Sequence, residues 1–336
     1  MRVTRGLADT VVGIGYWFLV FVACVNITGC GQRSDVTVIK LGHGLDPTHP
    51  VHKAMVFMAE RIDEKSGGRM RVDIYPSQQL GSERQTLELL QLGSLGMTKV
   101  AAAVLEQFAP SYRVLSLPYI FRDDEHRFKV LEGPIGQQLL QDGEEFWLRG
   151  LAFYDAGSRS FYTKDAPIES PADLAGLKIR TLESASQVAI VNSLGGSATP
   201  ISWGELYTAL QQGIVDGAEN NPPSFQTSRH YEVATFYSLD EHTSIPDVLL
   251  ISTIIWDSLT EQEQTWLTEA ALESAQYQKQ LWKEANAEAL RIVQEAGVQI
   301  VYPDKTPFVD AVAPLYEAFR DEPEMYALIE AVRDTE

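Results

Sequence analysis

Cysteine is nearly absent from this chain: its 336 residues hold two, Cys24 and Cys30, both within the first thirty positions. No disulfide framework is available to the body of the protein, so an apolar core must hold it together. Positive charge is scarce as well, with 27 Lys and Arg against 46 Asp and Glu and a formal net charge of −19. That balance excludes nucleic acid as a partner, because nucleic acid rewards clustered Lys and Arg. Catalytic signatures are missing too: there is no Gly-x-Ser-x-Gly elbow, no His-Glu-x-x-His pair and no phosphate loop. Nothing sets a base beside an activated nucleophile at recognisable spacing, so the expectation is a protein that is not an enzyme and uses no cofactor. A lyase acting on acidic sugars, which also uses arginine forks and carboxylates, stays as the remote alternative.

A membrane-spanning run is the next absence. Val11 to Val25 is nearly uncharged but only 15 residues long, short of the roughly 20 a spanning helix needs. Arg2 and Arg5 precede it and Ile27-Thr28-Gly29-Cys30 follows, the charged-then-apolar layout of a secretion signal. The small residues before Cys30 resemble a bacterial lipobox. Residues 1–29 are therefore expected to be a lipoprotein signal peptide, with Cys30 lipidated and holding the mature chain to a membrane from the periplasm. An uncleaved anchor is the alternative, and either way the body lies outside the cytoplasmic membrane.

What is there alternates between strands and helices. Strands fit Val36–Leu41, Arg71–Tyr75, Met97–Ala103, Leu151–Asp155, Ser160–Thr163, Leu177–Thr181, Val248–Ser252 and Val298–Tyr302. Between the first two, Val51, Ala54, Met55, Met58 and Ile62 repeat at helical spacing until Gly67-Gly68. Thr260 and Glu263 form a capping box, and no Gly or Pro follows until Gly297. A continuous helix there would reach ~54 Å, longer than one lobe is wide. The fold class is α/β, and chains of this length tend to split into two lobes.

Two arginines and an asparagine fall where strands should end: Arg159, Arg180 and Asn220. Guanidinium is planar, permanently charged and able to grip both oxygens of a carboxylate, so the pattern reads as a receptor for a small organic anion. Each residue also has a plainer role. Arg180 and Arg159 would serve equally in surface ion pairs, Asn220 in a turn, Glu83 in a helix first turn and Trp203 in the core. His43, His49 and His52 lack the acidic or cysteine partners of a metal site. His43 is expected instead to donate to a ligand oxygen, Lys99 to add positive charge near the anion, and His242 to face the cleft or cap a loop.

Several fragments carry a family resemblance through their order and spacing. They include Ser66-Gly67-Gly68-Arg69, Leu80-Gly81-Ser82-Glu83-Arg84, Leu117-Pro118-Tyr119, Asp173 to Arg180 and Glu205 to Asn220. The chain resembles the extracytoplasmic solute-binding proteins of TRAP transporters from about Val36 to beyond Leu281. The resemblance implies a two-lobed periplasmic-binding-protein-like fold with an interlobe cleft and a long helix spanning both lobes. Lobe I would take 36–156 plus 246–285, and lobe II 157–245 plus 286–336. It implies that Arg180 pairs with the substrate carboxylate, that Arg159, Asn220 and Glu219 lie beside it, that Glu83 meets ligand hydroxyls, that Trp203 walls the pocket, and that membrane permease subunits receive the cargo. Some relatives carry an acidic residue where this chain has Ala101, which makes sialic-acid-like ligands a poorer match. Lys99-Val100-Ala101, Ser158-Arg159-Ser160 and Glu241-His242-Thr243 look most like members that take hexuronates such as glucuronate or galacturonate, with four-carbon dicarboxylates and other hydroxy or keto acids as runners-up.

Overall fold

A computed structural model describes residues 36–336; the expected signal segment and the lipidation at Cys30 lie outside the described residues. The strands are β1 (Thr37–Gly42), β2 (Met70–Tyr75), β3 (Met97–Ala101), β4 (Leu148–Tyr154), β5 (Arg159–Thr163), β6 (Lys178–Thr181), β7 (Ser197–Pro200), β8 (Gly217–Asn220), β9 (Phe236–Thr243), β10 (Asp247–Ser252) and β11 (Gln299–Val301). They form two sheets, ordered β2-β1-β3-β10-β4 and β11-β9-β5-β8-β6-β7. Each sheet centres one lobe of a mixed α/β fold. β1 runs parallel to β2 and β3, whereas β10 enters antiparallel to both β3 and β4. In the second sheet β6 is parallel to β7 and β8, and β5 is antiparallel to β8 and β9.

Both faces of each sheet are covered, which is why β10 is apolar without alternation from Val248 to Ile251. Along β10, Val248 and Leu250 pack with Val100, Leu115 and Phe153, while Leu249 and Ile251 pack with Ile39, Met55 and Met58 on the other face. In the second sheet Tyr162 and Ala218 face Leu206 and Tyr237, whereas Phe161 and Ile179 face Ile190 and Phe308. Four buried clusters, not disulfides, hold the described residues together.

The chain passes between the sheets at β4 to β5, at β9 to β10 and along the helix Glu261–Glu295. That helix starts at the expected Thr260/Glu263 capping box, and its 35 residues extend ~52 Å. Leu267, Ala270, Ala271 and Trp282 pack in the first lobe's cluster with Met55 and Met58 of the helix Pro50–Ser66, and Val293 packs in the second lobe's cluster with Leu206 and Tyr237. One rigid rod therefore serves both lobes. It is tied to the β4–β5 crossing by paired bonds: Gln278 accepts from Asp155 N at 2.8 Å and donates to Asp155 O at 2.7 Å.

The last helix, Pro323–Arg333, departs from the expected assignment of 286–336 to lobe II. Met325, Ile329 and Val332 bury against Tyr112 and Leu115 of the first lobe, and His126 Nε2 sits 2.8 Å from Val332 O. Pro323 stands in the first turn of this helix, and its apolar stripe finds cover in the cluster built around the first sheet. The lobes also touch beside the cleft, where Glu106 Oε1 accepts from Ser184 Oγ at 2.7 Å and Ser186 N at 2.9 Å.

Candidate functional site

Strand polarity assembles the site. β8 ends at Asn220, its antiparallel neighbour β5 begins at Arg159, and its parallel neighbour β6 ends just beyond Arg180. Three strand mouths therefore open on one edge of the second sheet. The first sheet repeats the device, because β10 begins at Asp247, opposite Ala101 at the end of antiparallel β3. Ligands of α/β sheets bind beyond such edges. A cavity partly open to solvent lies there and is lined by Arg159, Arg180, Trp203 and Asn220 from the second-sheet side and by Glu83, Lys99, Ala101 and Asp247 from the first.

Arg180 is 1% exposed. Its Nε donates to Ile201 O at 2.8 Å, and its Nη1 has no hydrogen-bond partner among the described residues. Burial pulls it below the ordinary arginine range, and the more distant Glu219 and Glu83 do not restore it. The Trp203 ring lies 5.7 Å from its Cζ, within reach of a cation–π attraction. A buried guanidinium with no carboxylate of its own is costly unless an anion arrives.

Arg159 is the opposite case. It donates to both carboxylate oxygens and the carbonyl of Glu219, and its Nη1 donates to Asn220 Oδ1 at 3.0 Å. Burial works against its charge, but Glu219 outweighs burial and raises its pKa. Asn220 Oδ1 also accepts from Asn221 N at 2.8 Å, which fixes its amide NH2 as the group left for another partner.

Across the cavity Lys99 lies between two carboxylates, 3.0 Å from Asp247 Oδ1 and 3.2 Å from Glu83 Oε1. Burial disfavours its charge, and Asp247 and Glu83 together raise its pKa despite that. Glu83 opens its helix after the Ser82/Gln85 capping box. It thus fills the first-turn role expected of it and lines the cavity as well.

Three expected contacts do not line the cavity. Glu219 is fully buried beneath Arg159. His43 accepts from Leu45 N through Nδ1 at 3.1 Å, leaving Nε2 to donate to His52 Nδ1 at 3.0 Å. Burial, with Lys99 and His52 nearby, lowers it to about 2, so it is neutral with both ring nitrogens occupied. His242 stacks on Phe161 and holds Asp240 Oδ2 at 2.7 Å, and its unpartnered Nε2 stands 3.8 Å from Glu219 Oε2. Among the described residues no His/Cys/Asp/Glu group could hold a metal ion, and no helix is long and apolar enough to cross a membrane.

Residues 41–322 match the family of bacterial extracellular solute-binding proteins, family 7. The chain belongs to that family. This family-7 protein is 41% identical to a TRAP periplasmic solute-binding protein of Bradyrhizobium sp. BTAi1 solved with α/β-D-galacturonate, with a TM-score of 0.86 over 88% of this chain and 99% of that one. It is 39% identical to one from Xanthobacter autotrophicus Py2 with bound β-D-galacturonate, again at a TM-score of 0.86, covering 89% and 100% of the two chains. It is 32% identical over 292 residues to the C4-dicarboxylate-binding periplasmic protein DctP of Rhodobacter capsulatus, 84% of this chain and 86% of that one.

Sequence reasoning missed Asp247, Asn221 and Ser224, all on the cavity wall. Asp247 is an acidic residue on an otherwise apolar strand, Asp247-Val-Leu-Leu-Ile-Ser252, and that was the available signal. Asn221 Oδ1 caps the next helix by accepting from Ser224 N at 2.9 Å, and nothing in the spacing marked the pair for a ligand.

Proposed function

We propose that this protein is the receptor of a TRAP transporter that captures a hexuronate, D-galacturonate or D-glucuronate, and delivers it to membrane permease subunits without chemical change. The single observation that carries the proposal is Arg180, a buried cation left without a carboxylate at the edge of a cavity whose far side offers carboxylate oxygens. A sugar acid matches both needs, with one carboxylate for the guanidinium and hydroxyl donors for Glu83 and Asp247. The solved relatives with bound uronates support the same ligand class. Arg159, Asn220 and Trp203 complete the ligand side of the second lobe; Glu219, His43 and His242 act as supports. Closing the lobes over the anion excludes water and strengthens the ion pair.

The receptor works in the periplasm, with residues 1–29 removed as a signal and Cys30 lipidated as the anchor. Lobe I comprises 36–156 and 246–285 and recovers the final helix; lobe II comprises 157–245 and the stretch from 286 to the turn before Pro323. Calorimetric titration with D-galacturonate, D-glucuronate and succinate tests the ligand. Binding of both uronates, with succinate at least ~100-fold weaker, is the expected result. Binding of succinate alone would replace the hexuronate reading with a dicarboxylate one, and turnover of any of the three would make the protein an enzyme.

A further inference from the structure

We infer that Asp247, locked by Lys99 beside Glu83, makes the receptor distinguish a sugar acid with one carboxylate from the aldaric acid of the same carbon skeleton, which carries two. The inference rests on the hexuronate reading above and assigns its selectivity to the wall opposite Arg180.

The charge arrangement is the argument. Lys99 is one ammonium between two carboxylates, so this wall carries an excess negative charge, whereas Arg180 Nη1 opposite it has no hydrogen-bond partner among the described residues. Lys99 engages Asp247 Oδ1 and Glu83 Oε1, and Glu83 Oε1 also accepts from Ala101 N at 3.3 Å. Among the described residues no hydrogen bond reaches Asp247 Oδ2 or Glu83 Oε2, while both residues line the cavity. The unoccupied oxygens are acceptors only. They match hydroxyl donors, such as the anomeric and neighbouring hydroxyls of a uronate turned with its carboxylate toward Arg180. They oppose a second ligand carboxylate, which brings a negative charge and no proton at neutral pH.

Backbone pairing makes this wall rigid. Asp247 sits opposite Ala101 on β3 and opposite Tyr154 on β4, so its Cα is held from both sides at the first residue of β10. Ala101 contributes no polar side chain, and Lys99 is 2% exposed, so little free positive charge exists on this side to receive a second anion.

The test compares D-galacturonate with galactarate, the dicarboxylate of the same skeleton, by isothermal titration calorimetry at pH 7.5 on wild type, Asp247→Asn and Glu83→Gln. Wild type is expected to prefer galacturonate by ~100-fold. Asp247→Asn keeps the shape and removes the charge; it should weaken galacturonate by ~10-fold and galactarate not at all, shrinking the ratio by ~10-fold or more. Glu83→Gln should shrink it in the same direction and serves alone if Asp247→Asn fails to fold. Equal losses for both ligands, leaving the ratio unchanged in each folded variant, would make the wall merely structural and overturn the inference while sparing the hexuronate reading. Equal wild-type affinity for the two ligands would overturn it as well. A wild type that binds neither galacturonate nor glucuronate would remove both readings together.

Discussion

Arg159 and Arg180 stand on strands separated only by β8 and are buried to nearly the same depth, 4% and 1% exposed. Their surroundings differ in one respect. β5 runs antiparallel to β8, so Arg159 meets the end of β8 and finds the Glu219 carboxylate there. β6 runs parallel to β8 and pairs Arg180 with Ala218, and its guanidinium reaches a backbone carbonyl and an indole instead. Strand direction thus separates a cation neutralised within the fold from one of the same chemistry left without a carboxylate. A buried charge that the fold neutralises contributes to holding the fold, whereas one left open contributes to holding something else.

Breaking this pair should give opposite phenotypes. Arg159→Gln leaves Glu219 as a buried carboxylate without its cation, and is expected to lower unfolding stability by about 3–5 kcal/mol, read by urea titration of the ligand-free protein. Arg180→Gln removes a cation that the ligand-free protein does not satisfy. Uronate affinity should fall by ~100-fold or more while the ligand-free melting temperature holds or rises. If Arg180→Gln proves the more destabilising of the two, the assignment of roles is reversed. Arg180→Lys, which keeps the charge and loses the fork, should fall between wild type and Arg180→Gln in affinity.

A pH series sharpens the same contrast, because the cavity's fixed cations suppress further positive charge around them. Burial first, and then Lys99, lowers His43 to about 2 and His49 well below 6.5; burial and then Arg180 lower His230 to about 3. In the unfolded chain these side chains titrate near 6.5. Between 6.5 and the folded values the unfolded state binds more protons, so stability must fall as pH drops through that window. The three together should lose roughly 2 kcal/mol between pH 7.5 and pH 6, measured by urea midpoints at constant ionic strength. A flat profile would mean that the histidines are protonated in the fold and that the cations do not govern their surroundings.

Much of this was legible in the sequence because it depends on patterns that act locally. The strand patterns placed β1, β2, β5, β6 and β10 within one residue of their observed ends, and the Thr260/Glu263 box placed the start of the long helix. β9 was not anticipated. Apart from the exposed Glu241, its Ser-Leu-Asp-Glu-His-Thr stretch is buried, with Asp240 Oδ1 accepting from Phe161 N at 3.1 Å, and its pairing with β5 slips beside Glu241, whose φ is 50°. Polar residues made apolar by pairing carry no hydrophobic period to read. The site divides in the same way. Arg180 and Trp203 announce themselves by residue type, but Asp247 joins Lys99 across 148 positions, and its role exists only once β10 has entered the first sheet antiparallel. The final helix shows the converse limit: Met325, Ile329 and Val332 recur at helical spacing, but nothing in that spacing says that they bury with Tyr112 and Leu115.

The smallest expected effect concerns how the Arg159 mouth is aimed. Gly157, two residues upstream, has φ of 55°, and a Cβ there would lie 2.9 Å from Trp282 Nε1 on the long helix. Its N–H donates to Asp155 Oδ1 at 2.9 Å, so the turn that delivers the chain from β4 to β5 is fixed from both sides. Gly157→Ala imposes a left-handed conformation on a residue with a side chain and pushes the indole aside, at a cost of about 1 kcal/mol in stability. Because the perturbation enters through β5, whose arginine is neutralised within the fold, uronate affinity should change by less than ~3-fold. An affinity loss above ~10-fold with the same small stability cost would mean that Arg159 contacts the ligand as strongly as Arg180 does, and the division of labour between the two strand mouths would have to be abandoned.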